Sequence, residues 1–187
     1  QEVVRPGLAD LWWVMSTVER FIKQHIQAQG DIVPVEGGAV SQGPRTVQIN
    51  RDALRAAGML ANQLQDRLLA DQYRRIKRPL LANAFGKSRA AVSYGRAIMV
   101  ASALPGEGKT FSSVNLALSL ALDPHIDVIL VDADIPKPHV SDIFGVRQDA
   151  GLMDALVDPS IDPQSLVIPS DVKRLSFLPA GHRDANR

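Results

Sequence analysis

The chain has 187 residues, with 21 Lys and Arg against 20 Asp and Glu, a formal net charge of +1. That near balance excludes a general polyanion-binding surface, so no nucleic-acid partner is expected. The lack of cysteine excludes disulfides and thiolate metal sites, and no apolar run approaches the roughly 20 residues a bilayer span needs.

In chain order, residues 1–28 come first. Leu8, Leu11, Trp12, Met15, Val18, Phe21, Ile22, His25 and Ile26 recur at helical spacing and give one apolar face. Docking on the rest of the protein is the plain reading. Binding a membrane partner's tail or lying at a lipid surface are the alternatives, the last weakened by a polar face poor in Lys and Arg. Residues 29–50, with four glycines and two prolines, read as a flexible linker. Residues 51–95 form a helical lead-in, with a short helix around 51–58 and a longer one around 61–78 that Pro79 is expected to end near Arg78. Asp71, Arg74 and Lys77 stand at i, i+3 and i+6, along one side of that helix. On composition alone they make an ordinary solvated face.

Residues 96–187 are expected to run strand 97–102, helix 109–121, strand 127–132, helices near 139–144 and 151–157, and strand 174–178. This alternation predicts an α/β fold, a parallel sheet with helices on both faces, and the GEGKT loop at 106–110 makes it P-loop NTPase-like. Right-handed crossovers would bring the loop after residue 102 and Asp132 to one sheet edge. The four histidines, at 25, 125, 139 and 182, show no ligand spacing and are expected to bind nothing.

The stretch AIMVASALPGEGKTFSSVNL, 97–116, reads as strand, glycine-bearing loop and helix start. Gly106 and Gly108 let backbone N–H groups turn inward around phosphate oxygens. The helix beginning near Lys109 adds its positive end. Lys109 would reach the β- and γ-phosphates, and the Thr110 hydroxyl would ligate Mg²⁺. The nucleotide is therefore expected against Pro105, Gly106, Glu107, Gly108, Lys109, Thr110 and Phe111. Ala103 stands where the G-x-x-x-x-G-K-[ST] pattern has its first glycine. The competing reading is a Gly-Pro turn that binds nothing.

Val128-Ile129-Leu130-Val131 reads as a covered parallel strand, with Asp132 and Asp134 at its carboxyl end, where ligands bind in open α/β sheets. Paired acids beside a P-loop suit Mg²⁺ ligation and general-base work on an incoming hydroxyl. Alternatively, Asp132 caps a turn and Asp134 caps the next helix.

ASALPGEGKT followed by VILVDADIPKPHVSDIFG resembles the bacterial tyrosine kinases of capsule and exopolysaccharide synthesis, the BY-kinases of CpsD/CapB type. DQYRRIKRPLLANAFG at 71–86, GLMDALVDP at 151–159 and LSFLPAG at 175–181 extend the resemblance over roughly residues 45–187. The wording is most similar to the exosortase-associated, XrtA-type autokinases. Leu104 where partition ATPases carry a signature lysine, and the missing cysteine pair of iron–sulfur carriers, favour the kinase branch.

The resemblance implies ATP and Mg²⁺, with Lys109, Asp132 and Asp134 catalytic and Thr110, Asp132 and Asp134 toward the metal. It implies that Asp71, Arg74 and Lys77 mediate contacts in a ring-like homo-oligomer, in place of the family's E-x-x-R-x-x-R. It also implies a transmembrane chain-length partner, which would hold the protein at the cytoplasmic face of the plasma membrane. Pro136 stands where the family's D-x-D-x-R pattern has arginine, and Lys137 cannot reproduce a guanidinium fork. A third apolar strand ending in aspartate and a tyrosine-rich tail are expected of such kinases. The tyrosines here are Tyr73 and Tyr94. With no methionine before Gln1, the chain reads as the first half of a kinase domain with an upstream linker. A nucleotide-gated regulatory or scaffold ATPase related to the Min/Par proteins is the second functional reading.

Overall fold

The computed structural model describes residues 46–56, 63–85 and 95–182. The apolar face expected over 8–28, most of the expected linker and Tyr94 lie outside the described residues. The elements are α1 (Arg51–Ala56), α2 (Gln63–Phe85), α3 (Lys109–Ala121), β1 (Val128–Val131), α4 (His139–Ile143), α5 (Leu152–Val157), a 3-10 turn (Pro163–Leu166), β2 (Ile168–Pro169) and β3 (Leu175–Leu178).

The β-branched and leucine run of β1 pairs in parallel with β3, Val128 opposite Leu175 and Val131 opposite Leu178. On the other side of β3, β2 pairs antiparallel, giving a three-stranded sheet of order β1-β3-β2. The sheet is thus mixed where the alternating pattern predicts a parallel one. The reason is loop length: residues 170–174 join β2 to β3. A parallel return would need a crossover of a dozen or more residues. Arg174, at φ 68°, and the Ser170 hydroxyl, which donates to the Leu175 carbonyl at 2.7 Å, tighten this reversal.

Helix α3 is buried on two sides. Val114, Ala117 and Ala121 enter the main core with Val140, Phe144, Leu175 and Phe177. Leu116 and Leu120 meet Tyr73 of α2. The Phe144 and Phe177 rings stand 5.1 Å apart at 54°, a favourable tilted pair. Within the stretch expected as linker, Val47 and Ile49 are buried in this same core. Their backbone reaches the sheet as well: Val47 N–H donates to the Pro169 carbonyl at 2.8 Å, and Val47 accepts from Asp171 N–H at 3.0 Å.

Two further expectations are corrected. The strand expected over 97–102 joins no sheet among the described residues, and Ile98 and Met99 are exposed. An apolar run becomes a strand only when a neighbour takes its N–H and C=O groups, and no described segment does so. Helix α2 continues through Pro79 to Phe85 instead of ending at Arg78. Leu80 and Leu81 pack against the Tyr73–Leu116–Leu120 cluster, so burial on both sides of Pro79 outweighs the lost helical hydrogen bond.

The GLMDAL segment docks on the chain leaving β3. Leu152 and Met153 N–H groups donate to the Pro179 and Ala180 carbonyls at 2.8 and 2.9 Å. Only a glycine fits the crossing: a Cβ on Gly151 would lie 2.1 Å from the Pro179 carbonyl oxygen and 2.7 Å from Gly181 N. Gly151→Ala is therefore expected to destabilise by about 1–3 kcal/mol or more, because backbone on both sides must give. Urea denaturation checks this; a midpoint equal to the parent's would contradict the packing described.

Candidate functional site

The glycine loop ends at the helix that the core holds most firmly. Gly106 and Gly108 adopt φ of 84° and 86°, the left-handed region where a side chain is disfavoured. A Cβ would meet nothing within 4 Å at either position, so the requirement is conformational rather than steric. Gly108 caps α3, accepting from Ser112 N–H at 2.8 Å, and the first N–H groups of the helix face no intrahelical acceptor.

Three side chains close the loop on itself. Lys109 Nζ donates to Ser102 Oγ at 2.9 Å, and that hydroxyl donates to the Leu104 carbonyl at 3.0 Å. Glu107 Oε2 accepts from Leu104 N–H at 3.1 Å. Pro105, Gly106 and Glu107 are exposed, whereas Gly108, Lys109, Thr110 and Phe111 are half-buried. The Phe111 ring packs against the main core, which fixes the start of α3.

Asp132 and Asp134 follow β1 directly. The ladder extends one residue beyond the strand, Asp132 N–H donating to the Leu178 carbonyl at 3.0 Å. The Asp132 side chain is 2% exposed. Its Oδ2 accepts from Ser141 N–H and from the Ser141 hydroxyl, each at 2.8 Å, and its Oδ1 accepts from Asp134 N–H at 3.2 Å. Burial pushes its carboxyl above the usual carboxylate range. The Ser141 and Asp134 hydrogen bonds pull it back in part, and the Asp134 charge adds to the rise. Asp134 is half-buried and accepts from Lys137 N–H at 3.3 Å.

Asp132 therefore holds a turn, as its capping alternative anticipates, and Asp134 is the more open acid. Among the described residues no hydrogen bond or ion pair joins Lys109 or Thr110 to either aspartate. The connection is through packing: α3, which begins with Lys109 and Thr110, lies against β1, which Asp132 follows directly. No group of three or more His, Cys, Asp or Glu that could hold a metal occurs among the described residues. Hard oxygen donors are present in Thr110, Asp132 Oδ1 and Asp134. They suit Mg²⁺, which takes one or two carboxylates and leaves the rest of its sphere to phosphate and water.

The lead-in helix divides its charges. Asp71 and Arg74 pair at 3.3 Å, each about two-thirds exposed. Lys77 instead points inward, donating to the Ser119 carbonyl of α3 at 3.0 Å. Six residues advance a helix by about 600°, so the third position lies roughly 120° from the first, not on one side with it. Tyr73 is buried, with its hydroxyl bonded to the Ser112 side chain. Burial raises its phenol above the ordinary value, partly offset by that bond.

His182 was legible in no spacing, since its partner lies 28 residues away. Its Nδ1 lies 3.0 Å from Asp154 Oδ1, and its Nε2 lies 3.1 Å from the Gln148 carbonyl. Asp154 Oδ2 also accepts from Gly151 and His182 N–H groups. The GLMDAL and LPAG motifs thus meet in one clasp at the carboxyl end of β3.

Two curated relatives align with part of the chain. One is the succinoglycan biosynthesis transport protein ExoP of Rhizobium meliloti (strain 1021), 36% identical over 91 residues, or 49% of this chain. The other is the tyrosine-protein kinase YwqD of Bacillus subtilis (strain 168), 37% identical over 86 residues, or 46% of this chain. The match spans 11% of the length of the first and 35% of the second. No family model matches the chain, and no solved structure matches it. No helix of the described residues is long and apolar enough to cross a membrane.

The clasp sets a pH dependence. The Asp154 side chain, by hydrogen bond and then by charge, raises His182 above its usual value. Burial works to raise Asp154, but the Gly151 and His182 hydrogen bonds outweigh it and hold its carboxyl low. The stabilisation is then complete between the unfolded carboxylate value of about 3.9 and the unfolded histidine value of about 6.5; it is lost as pH rises through the folded histidine value and as pH falls through the folded aspartate value. His182→Gln is expected to lower the melting temperature at about pH 6 and to approach the parent above about pH 8. A melting difference constant across that range would exclude a charged clasp.

Proposed function

We propose that this chain is the ATP-binding part of a bacterial protein-tyrosine autokinase of the exosortase-associated kind, acting in exopolysaccharide biosynthesis and export. The observation that carries this reading is the loop. Gly106 and Gly108, both left-handed, lead into Lys109 and Thr110 at the start of a buried helix. Such a backbone suits a phosphate chain, because unpaired N–H groups and the helix dipole converge on it. The likeness to one protein named as a tyrosine kinase and another named for succinoglycan biosynthesis supports the chemistry and its setting.

In this reading the N–H groups from Gly106 to Thr110 cradle the triphosphate, with Pro105, Glu107 and Phe111 along the loop. Lys109 exchanges the Ser102 hydroxyl for β- and γ-phosphate oxygens, a short move for its flexible stem. Thr110, Asp132 and Asp134 would hold Mg²⁺, which when bound neutralises charge on the transferring phosphoryl group. The acceptor's phenolic oxygen bonds to the γ-phosphorus as the bond to the bridging oxygen of ADP breaks. The phenolic proton passes to Asp134, the more open carboxylate.

A second reading, a nucleotide-gated scaffold with weak catalysis, draws on two observations. Pro136 occupies the usual arginine position, and Tyr73 is buried rather than offered to a neighbouring active site. Both readings place the protein at the cytoplasmic face of the membrane through a transmembrane chain-length partner. Both also use a ring-like homo-oligomer, with Asp71 and Arg74 on its contact surface.

Lys109→Ala is expected to weaken ATP binding about 10- to 100-fold by calorimetry, the loss of a charge-assisted contact. Unchanged affinity would remove the nucleotide assignment. Incubation with radiolabelled ATP followed by phosphoamino-acid analysis then separates the two classes. Phosphotyrosine that disappears with Lys109→Ala supports the kinase, and ATP binding without phosphotyrosine supports the scaffold. Arg74→Ala is expected to shift sedimentation toward the monomer, and a profile like the parent's would leave Asp71–Arg74 as a surface pair.

A further inference from the structure

Ser141 touches three segments at once. It is fully buried, third in the short helix α4, and its backbone and hydroxyl both donate to Asp132 Oδ2 at 2.8 Å. The same hydroxyl accepts from Ala180 N–H at 3.1 Å. With its single proton given to Asp132, Ser141 Oγ can only accept from Ala180, so the direction of both bonds is fixed. Ala180 is itself held, because its carbonyl accepts from Met153 N–H at 2.9 Å and its neighbour Pro179 accepts from Leu152. A shift in either docked segment would therefore reach Asp132 through one hydroxyl.

The two carboxylate oxygens differ as a result. Oδ2 takes two donors and is saturated, whereas Oδ1 takes the Asp134 N–H and keeps a lone pair. A free aspartate could rotate to exchange its oxygens, but two donors from one rigid residue prevent that. We infer that Ser141 is a positioning residue that commits Asp132 Oδ2 to the fold and leaves Oδ1 as the single oxygen available to the magnesium of bound nucleotide. This rests on the nucleotide reading proposed above and adds to it a residue that touches neither nucleotide nor metal. Partners of this kind that orient a metal-binding carboxylate typically govern metal affinity by about 10- to 100-fold.

The test measures nucleotide affinity of the whole chain by calorimetry, with and without Mg²⁺, in the parent, Ser141→Ala and Ser141→Thr. In the parent, Mg²⁺ is expected to tighten ATP binding. Ser141→Ala is expected to lose most of that gain while its magnesium-free affinity stays within about twofold of the parent, and Ser141→Thr, which keeps the hydroxyl, to restore it. Mn²⁺ bound in place of Mg²⁺ gives a second readout, its electron paramagnetic resonance spectrum changing in Ser141→Ala. Should Ser141→Ala not fold, Ser141→Cys, close in size and a weaker hydrogen-bonding group, takes its place with the same expected loss. A full magnesium gain in Ser141→Ala, or an equal fall with and without the metal, would overturn the inference. A parent that binds no ATP in either condition would instead overturn the nucleotide reading beneath it.

Discussion

A carboxylate buried beside a sheet is tolerable only when its oxygens are satisfied, and Asp132 meets that condition with three donors. Those donors set much of the surrounding architecture. Asp134 N–H tightens the turn out of β1, while Ser141 draws the short helix α4 beneath the strand end. Through Ala180, the same hydroxyl ties in the exit of β3. The parallel β1–β3 ladder brings the two strand exits side by side, and the Ser141 contacts hold them there. Losing one donor would leave a buried carboxylate short of a partner, which costs more than the bond itself contributes.

Helix α3 plays the corresponding part for the glycine loop. Its two buried sides fix it to the sheet and to α2, so the loop at its start hangs from a rigid mount. Lys77 and Tyr73 of α2 reach α3 directly, at Ser119 and Ser112. The surface that carries the Asp71–Arg74 pair is consequently one helix away from Lys109. Ser102 and Glu107 finish the loop with local hydrogen bonds, leaving a shaped backbone rather than a loose one.

The GLMDALVDP and LSFLPAG motifs have a shared physical explanation. They are two halves of one junction, joined by the close crossing at Gly151, by backbone bonds to Pro179 and Ala180, and by the Asp154–His182 pair. Their wording preserves a backbone approach too tight for any Cβ. The junction in turn holds Ala180, and so the hydroxyl that fixes Asp132.

The helix at 109–121 and the strand at 128–131 were legible in the chain because period, glycine punctuation and an apolar run are local properties, but the cover expected over both faces of the strand is missing at Ile129, which is exposed. The loop glycines were legible too, since their left-handed conformation follows from the absence of a side chain. Whether 97–102 pairs, whether α2 survives Pro79, and whether Val47 and Ile49 are linker or core all depend on what lies alongside. The inward turn of Lys77 and the pairing of His182 with Asp154 depend on the same thing. Neighbours distant in sequence leave no periodic trace, since a hydrogen bond across 28 or 42 residues is chosen by packing rather than by spacing. Local sequence accounted for the glycine turns, the helix at 109–121 and the placing of acids and lysine at element ends. Tertiary structure alone decided which of those groups remain open, because burial and donors from other segments determine what an oxygen or an ammonium is free to bind.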